Sequence, residues 1–448
     1  MSTPTLTRAP ARPATLLVRG AHVVDPVARI DALHDVLVRD GEIAEIGAPG
    51  RLDAGPGAEV VDGTGKHLLP AFVDPHVHLR TPGQEHKEDL ETGTRAAAAG
   101  GFCAILGMAN TDPVVDTAPI LGALLEAAAR DARIPVGFMA CVTRAMDGQD
   151  LTEMAELADV GAFGFTDDGR PIADAGVMRR ALQYQRLAGR VIALHEEDMS
   201  LSGSGAMHEG AVSARLGVAG IPSVSESTLV ARDCLLAGYE DARIHLQHLS
   251  CVASVEAVAA AKASGVQVTC EASPHHLTLT DEDVAGLDTR MKMNPPLRTE
   301  TDRKALIDGL RDGTIDCIAT DHAPHARDEK EVAFEQAPMG TTGLETSFAA
   351  VYTELVLGGL LGLDVLIDRL CCGGIPFGIP QTTIATGQPA NVTLVDLQRR
   401  WVVGENGYES RSENCCFAGR ELQGKVLLTV AAGAVAYRER AFSLTAAT

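Results

Sequence analysis

Aromatic residues make up only 4% of the 448 residues, with a single tryptophan. Aliphatic side chains and alanine must therefore build most of the core. Basic residues are also short: 38 Lys plus Arg stand against 60 Asp plus Glu, a formal net charge of -22. That deficit argues against nucleic acid as a partner, because phosphate binding needs a basic surface. An anionic small molecule is not excluded, since it feels local charge, and bound divalent metal would offset part of the deficit. Long apolar runs are missing. The longest, "LVLGGLLGL" at 355–363, is too short to span a bilayer and is bounded by Glu354 and Asp364. None of the ten cysteines forms a CxxC pair, so zinc-finger spacing is absent and they read as reduced cytosolic thiols. The start, "MSTPTLTRAPARPATLLVRG", lacks a charged region followed by an apolar one. Residues 1–14 read as a disordered leader, and a cytoplasmic protein with no membrane partner is expected.

What is present is a globular composition, 46% hydrophobic and 22% charged. The first seventy residues read as short strands joined by "DG" and "TG" turns, as do the last sixty. Neither piece alone buries much surface, so one β-sandwich built from both termini is expected, over 15–68 and 388–448. Residues 69–387 alternate. Apolar strand candidates such as "FCAILGMA", "PVGFMACV", "RVIALHEE" and "DCIATDHAP" are interleaved with helical segments such as "APILGALLEAAARDA". Eight such units point to an α/β fold, a (β/α)8 TIM-type barrel.

The strand candidates tend to end in polar residues. His76 and His78 close the first, Asn110 follows the second, and Asp167 and Asp168 close the fourth. His195 closes the fifth, His248 the sixth and Asp321 the eighth. In such a barrel that end carries the active site. Residues i and i+2 of a strand share a face, so both histidines of "HVH" point to the barrel mouth. Each residue alone has an ordinary reading: a core histidine, a helix cap, a turn. Their common position argues for a joint metal site. Four imidazoles and two carboxylates are too many for one tetrahedral zinc with an open position. They suit two ions about 3.5–4 Å apart with a bridging carboxylate.

The motifs "DPHVHLR", "GMANTDP", "FTDDG", "ALHEED", "PHHLTLTDED", "KMNPPLR" and "ATDHAPH", in this order, resemble dihydroorotase of the long bacterial type, in the amidohydrolase superfamily. The resemblance runs from about residue 15 to the C-terminus. It implies a zinc-dependent cyclic amide hydrolase of pyrimidine biosynthesis, which interconverts N-carbamoyl-L-aspartate and L-dihydroorotate. It implies that His76, His78 and Asp321 hold one zinc and that His195 and His248 hold the second. Many relatives bridge the metals with a strand-four lysine; here an aspartate stands instead, assigned to Asp168, with Asp167 pointing away if the strand is regular. Asp321 is implied as the catalytic base and acid. His78, Arg80, Asn110, Asn294, His325, Met339 and Gly340 are implied as substrate contacts. Relatives often have Phe where Met339 stands, and Pro near Cys416. A homodimer and a complex with aspartate transcarbamoylase are also implied as partners. The rival readings are a hydantoinase or allantoinase, and a non-catalytic scaffold for aspartate transcarbamoylase. The segment from His322 to Glu345 reads as a lid. His275 and His276 read as structural.

Overall fold

The computed structural model describes residues 3–442 and 445–446. Its centre is a ring of eight parallel strands, labelled in chain order: β1 (Phe72–Val77), β2 (Phe102–Gly107), β3 (Val136–Ala140), β4 (Gly164–Phe165), β5 (Val191–Leu194), β6 (Ile244–Leu246), β7 (Val268–Ala272) and β8 (Cys317–Ile318). Strands that follow one another in sequence are paired neighbours in the sheet. The ring closes at the end of β1 and beyond the end of β8, where Val77 bridges His322 and His78 N donates to His322 O at 2.9 Å. Parallel strands covered on both faces read as continuous apolar runs, and "FCAILG", "VGFMA" and "VIAL" are buried at every position.

The covering helices carry local stop and start signals. Asp89 caps Leu90–Ala99 through a reciprocal pair with Thr92, and Thr299 caps Glu300–Asp312 with Asp302 in the same way. Gly313, at φ +89°, ends the latter in a left-handed conformation that suits glycine. Alanine does much of the packing, as the sparse aromatics require: Ala96, Ala97 and Ala98 are fully buried.

Strands Leu16–Asp25, Ile30–Arg39, Glu42–Gly47, Glu59–Asp62 and His67–Pro70 join Val392–Val402, Glu421–Ala431, Ala434–Arg438 and Thr445–Ala446 in one nine-stranded mixed sheet. The two termini are stitched where Val392–Val395 pairs antiparallel with His67–Pro70. One core, including Val18, Val36, Leu68, Val392, Leu394 and Leu428, serves strands from both ends of the chain.

The start of the chain departs from expectation. Thr7 exchanges two backbone hydrogen bonds with Val136, at 2.9 and 2.8 Å. Ala9 N donates to Ala132 O at 2.9 Å, and Ala14 N to Gly433 O at 2.8 Å. The stretch is thus tied to the barrel base at Thr7 and Ala9 and to the terminal sheet at Ala14, and is not a disordered leader; residues 1–2 lie outside the described residues. Backbone pairing leaves no mark on composition, so the seating of this stretch is not legible in its residues. A cavity of about 610 Å³, lined by Leu6, Val73, Cys103, Phe163 and Ile379 among others, lies under this segment. All ten cysteines are buried thiols. Among the described residues no helix is long and apolar enough to cross a membrane.

Candidate active site

The six candidate ligands meet at the C-terminal mouth of the ring, all buried. Asp168 stands at the centre, with its two oxygens facing different pairs of imidazoles. Its Oδ2 lies 3.7 Å from His76 Nε2 and 3.4 Å from His78 Nε2. Its Oδ1 lies 3.4 Å from His195 Nδ1 and 3.7 Å from His248 Nε2. Asp321 Oδ1 completes the first group, 3.5 Å from His76 Nε2 and 3.1 Å from His78 Nε2. His195 Nδ1 and His248 Nε2 face each other at 2.9 Å. Asp167 turns away. Its carboxylate accepts from the backbone N–H of Val142 at 2.8 Å and of Thr143 at 3.1 Å, and from the Thr143 hydroxyl. Both aspartates lie beyond β4, Asp168 in the turn that follows it, and the chain there puts Asp168 in the mouth and Asp167 on the loop after β3.

The donor set fits a divalent cation. His76 Nε2 is buried with no hydrogen-bond partner while oxygens of Asp168 and Asp321 face it. A buried polar atom without a partner is costly, and a positive charge between imidazole and carboxylates removes the cost. Two triads, His76–Asp168–His248 and His76–His78–Asp321, have ligand atoms within 4.8 Å of one another. Electrostatics agree. Burial works to raise the Asp168 pKa, yet His76, His195 and His248 hold it well below the usual carboxylate range. Burial likewise works against Asp321, and His76, His78 and His248 keep it ionised. Burial disfavours charge on His76, but Glu271, Asp168 and Asp321 outweigh it and raise its pKa well above that of free imidazole. The mouth therefore demands positive charge, which protons or a metal supply. These are buried His/Asp metal-binding groups built from imidazole nitrogen and carboxylate oxygen, the donors suited to zinc and its neighbours.

Around this centre lie the residues implied as substrate contacts. Arg80 is buried, and burial lowers its pKa to about 10 against the pull of Asp321 and Asp168. Its Nε donates to Pro324 O at 3.1 Å. Asn110 accepts from His78 Nδ1 at 2.9 Å and approaches Asp168 Oδ2 at 3.3 Å. Asn294 donates to Glu197 at 2.7 Å. His325 Nε2 donates to Met339 O at 2.8 Å, and a side chain on Gly340 would collide with Ala323. The segment from His322 to Glu345 is fastened down: Lys330 Nζ donates to Thr289 O at 2.9 Å and Pro338 O at 2.7 Å, and Lys292 Nζ to Ala337 O at 2.8 Å. Three residues at the mouth hold positive φ without being glycine: Arg80 at 58°, His248 at 31° and Asp321 at 47°. Such backbone costs on the order of 1–3 kcal/mol each and clusters where function requires it.

Two carboxylates escaped the sequence reading. Glu197 lies 3.2 Å from His195 Nε2 and also receives Asn294. It stands two residues after His195, so the same i, i+2 rule that paired His76 with His78 was a usable signal. Glu271, in the middle of the apolar strand "VTCEA", lies 2.6 Å from His76 Nδ1. A lone charge in a buried strand was its signal.

A family model described as "Dihydro-orotase-like" matches residues 65–272. A dihydroorotase of Desulforapulum autotrophicum is 45% identical over 94% of this chain and 98% of its own length. One of Pelotomaculum thermopropionicum is 44% identical over 95% of this chain and 99% of its own. Among solved structures, the L-hydantoinase (dihydropyrimidinase) of Arthrobacter aurescens superposes with a TM-score of 0.84 at 25% identity, covering 97% of this chain and 98% of that one.

Proposed function

This chain belongs to the dihydroorotase family of cyclic amide hydrolases, and from that premise we propose how its barrel mouth carries out the reaction. The reaction interconverts L-dihydroorotate and N-carbamoyl-L-aspartate. His76, His78 and Asp321 would hold one zinc and His195 and His248 a second, with the Asp168 carboxylate shared between the two groups. The observation that carries this reading is the division of the Asp168 carboxylate, one oxygen toward each histidine pair. When bound, such a pair supplies Lewis acidity at the ring carbonyl and lowers the pKa of water toward neutrality.

The chain's own residues do the rest. Asp321 takes a proton from the attacking water and delivers it to the departing ring nitrogen, acting first as base and then as acid. Its closeness to His78 and His76 keeps it ionised before the step. Arg80 spends its Nε on Pro324, which leaves its two terminal nitrogens for a bidentate grip on the substrate carboxylate. An uncharged ring would leave that guanidinium unpaired in a buried pocket, which is a strong basis for rejection. Asn110 and His325 complete the anchor, and Asn294 with the Met339–Gly340 backbone borders the ring.

The test is elemental analysis of the purified protein combined with a carbamoyl aspartate cyclisation assay. About two zinc per chain are expected, falling in Asp168→Asn together with turnover. One metal per chain in the wild type, with full activity, would sink the bridging role. A panel with hydantoin and dihydrouracil separates the hydantoinase reading: turnover of these in preference to dihydroorotate contradicts the grip assigned to Arg80. The homodimer and the aspartate transcarbamoylase complex belong to the same reading and are checked by sedimentation of the chain alone and mixed with that enzyme.

A further inference from the structure

Strand β7 supplies none of the six candidate ligands, yet it carries Glu271 into the floor of the site, fully buried. Three N–H groups converge on that carboxylate. Oε1 accepts from His76 Nδ1 at 2.6 Å and from the backbone N–H of His248 at 3.2 Å. Oε2 accepts from His245 Nε2 at 3.0 Å. One side chain therefore touches the imidazole of one candidate ligand and the backbone of another. His245 is itself held, with Nδ1 2.9 Å from the Thr269 hydroxyl and its ring 5.2 Å from that of Phe377.

We propose that Glu271, braced by His245, is a positioning residue for the metal centre: it sets the tautomer and aim of His76 and the seat of His248. The inference rests on the reading of those two histidines as metal ligands. Glu271 Oε1 already accepts the His248 backbone N–H, so the His76 Nδ1 that lies 2.6 Å from the same oxygen is a second donor to it. His76 then carries its proton on Nδ1, and Nε2 is left with a lone pair aimed at Asp168 and Asp321. The Gln247 amide also lies 3.3 Å from His76 Nδ1. The contact to Glu271 is far shorter and charge-assisted, and it decides the tautomer. The positive φ of His248 fits the same account, because its N–H must turn down to meet Glu271. His245, Glu271 and Cys317 also lie close enough to form a metal triad of their own. Both oxygens of Glu271 already accept N–H groups, however, so this cluster works as a brace and not as another centre.

The experiment measures zinc affinity of the apo-protein by competition with a chromophoric chelator, together with thermal melting of the same apo-protein. Glu271→Gln keeps the shape but places an N–H₂ against one of the imidazoles. It is expected to weaken zinc binding by about 10–100-fold while the apo melting temperature stays near that of the wild type. His245→Gln, which removes only the brace on Oε2, is expected to weaken zinc binding by a smaller factor. His76→Asn is the control for the ligand reading. If His76→Asn loses zinc and Glu271→Gln binds it like the wild type, the positioning role is overturned and the ligand reading stands. If His76→Asn binds zinc like the wild type, the ligand reading fails and the inference with it. Should Glu271→Gln not fold, His245→Gln decides, and unchanged affinity there overturns the proposal.

Discussion

The two ends of the barrel are made by the same eight strands and follow different rules. At the base, β1 begins with Phe72 and Val73 and β2 with Phe102 and Cys103, and an apolar cavity is covered by Leu6 and its neighbours. That end is held by area removed from water. At the mouth the same strands run out into histidines and aspartates that are equally buried. There almost nothing is gained from apolar area, and each polar group survives because another polar group or a cation meets it. The difference teaches where to look for chemistry: a change of shape at the base costs stability and spares turnover, and the mouth depends on every partner.

This contrast predicts opposite phenotypes. The largest effect is expected from stripping the metal with a chelator, which should abolish cyclisation reversibly. It should also lower the melting temperature, since an ion at a thousandfold excess over its Kd stabilises by about 4 kcal/mol. Atomic absorption and calorimetry on the same samples check both. Next, Asp321→Asn is expected to lower kcat by about 10²–10⁴-fold, the usual worth of a positioned acid and base, with the fold intact by circular dichroism. Near-normal turnover removes Asp321 from proton transfer. Arg80→Ala should cost about 10²-fold in kcat/KM, mostly as raised KM, through loss of a charge-assisted grip, with metal content unchanged. At the other end the signs reverse. Phe163→Ala should destabilise by about 3–5 kcal/mol in urea melts and leave kcat near the wild-type value. Leu6→Ala, on the partly exposed cover of the base, should cost about 1 kcal/mol and nothing in kinetics. A base variant that lost turnover without losing stability would erase the contrast.

Much of this architecture is legible in the sequence. Parallel strands announce themselves as apolar runs, and polar residues at their ends are conspicuous, so His76, His78, Asp168, His195, His248 and Asp321 stood out. Which of Asp167 and Asp168 faces the mouth was not legible, because the strand ends at Phe165 and its alternation does not extend to either residue. What was not legible depends on partners far away in the chain. Glu271 looks like an isolated charge until His76 is brought within 2.6 Å of it from 195 residues away. Lys330 looks like one of several charges in a polar loop, and only folding surrounds it with backbone carbonyls. The leader was misread for a similar reason: its bonds to Val136 and Ala132 are made by backbone, which every residue possesses.

The closing contact of the ring joins His78 N to His322 O, between one candidate ligand and the neighbour of another. His322 is anchored in turn, its Nδ1 accepting from Gly343 N at 3.2 Å and its Nε2 lying 3.3 Å from Glu88. The hoop is therefore buckled at its working edge. Any loosening of that clasp would spread His78 from Asp321, while His195 and His248, which follow the adjacent staves β5 and β6, would stay facing each other.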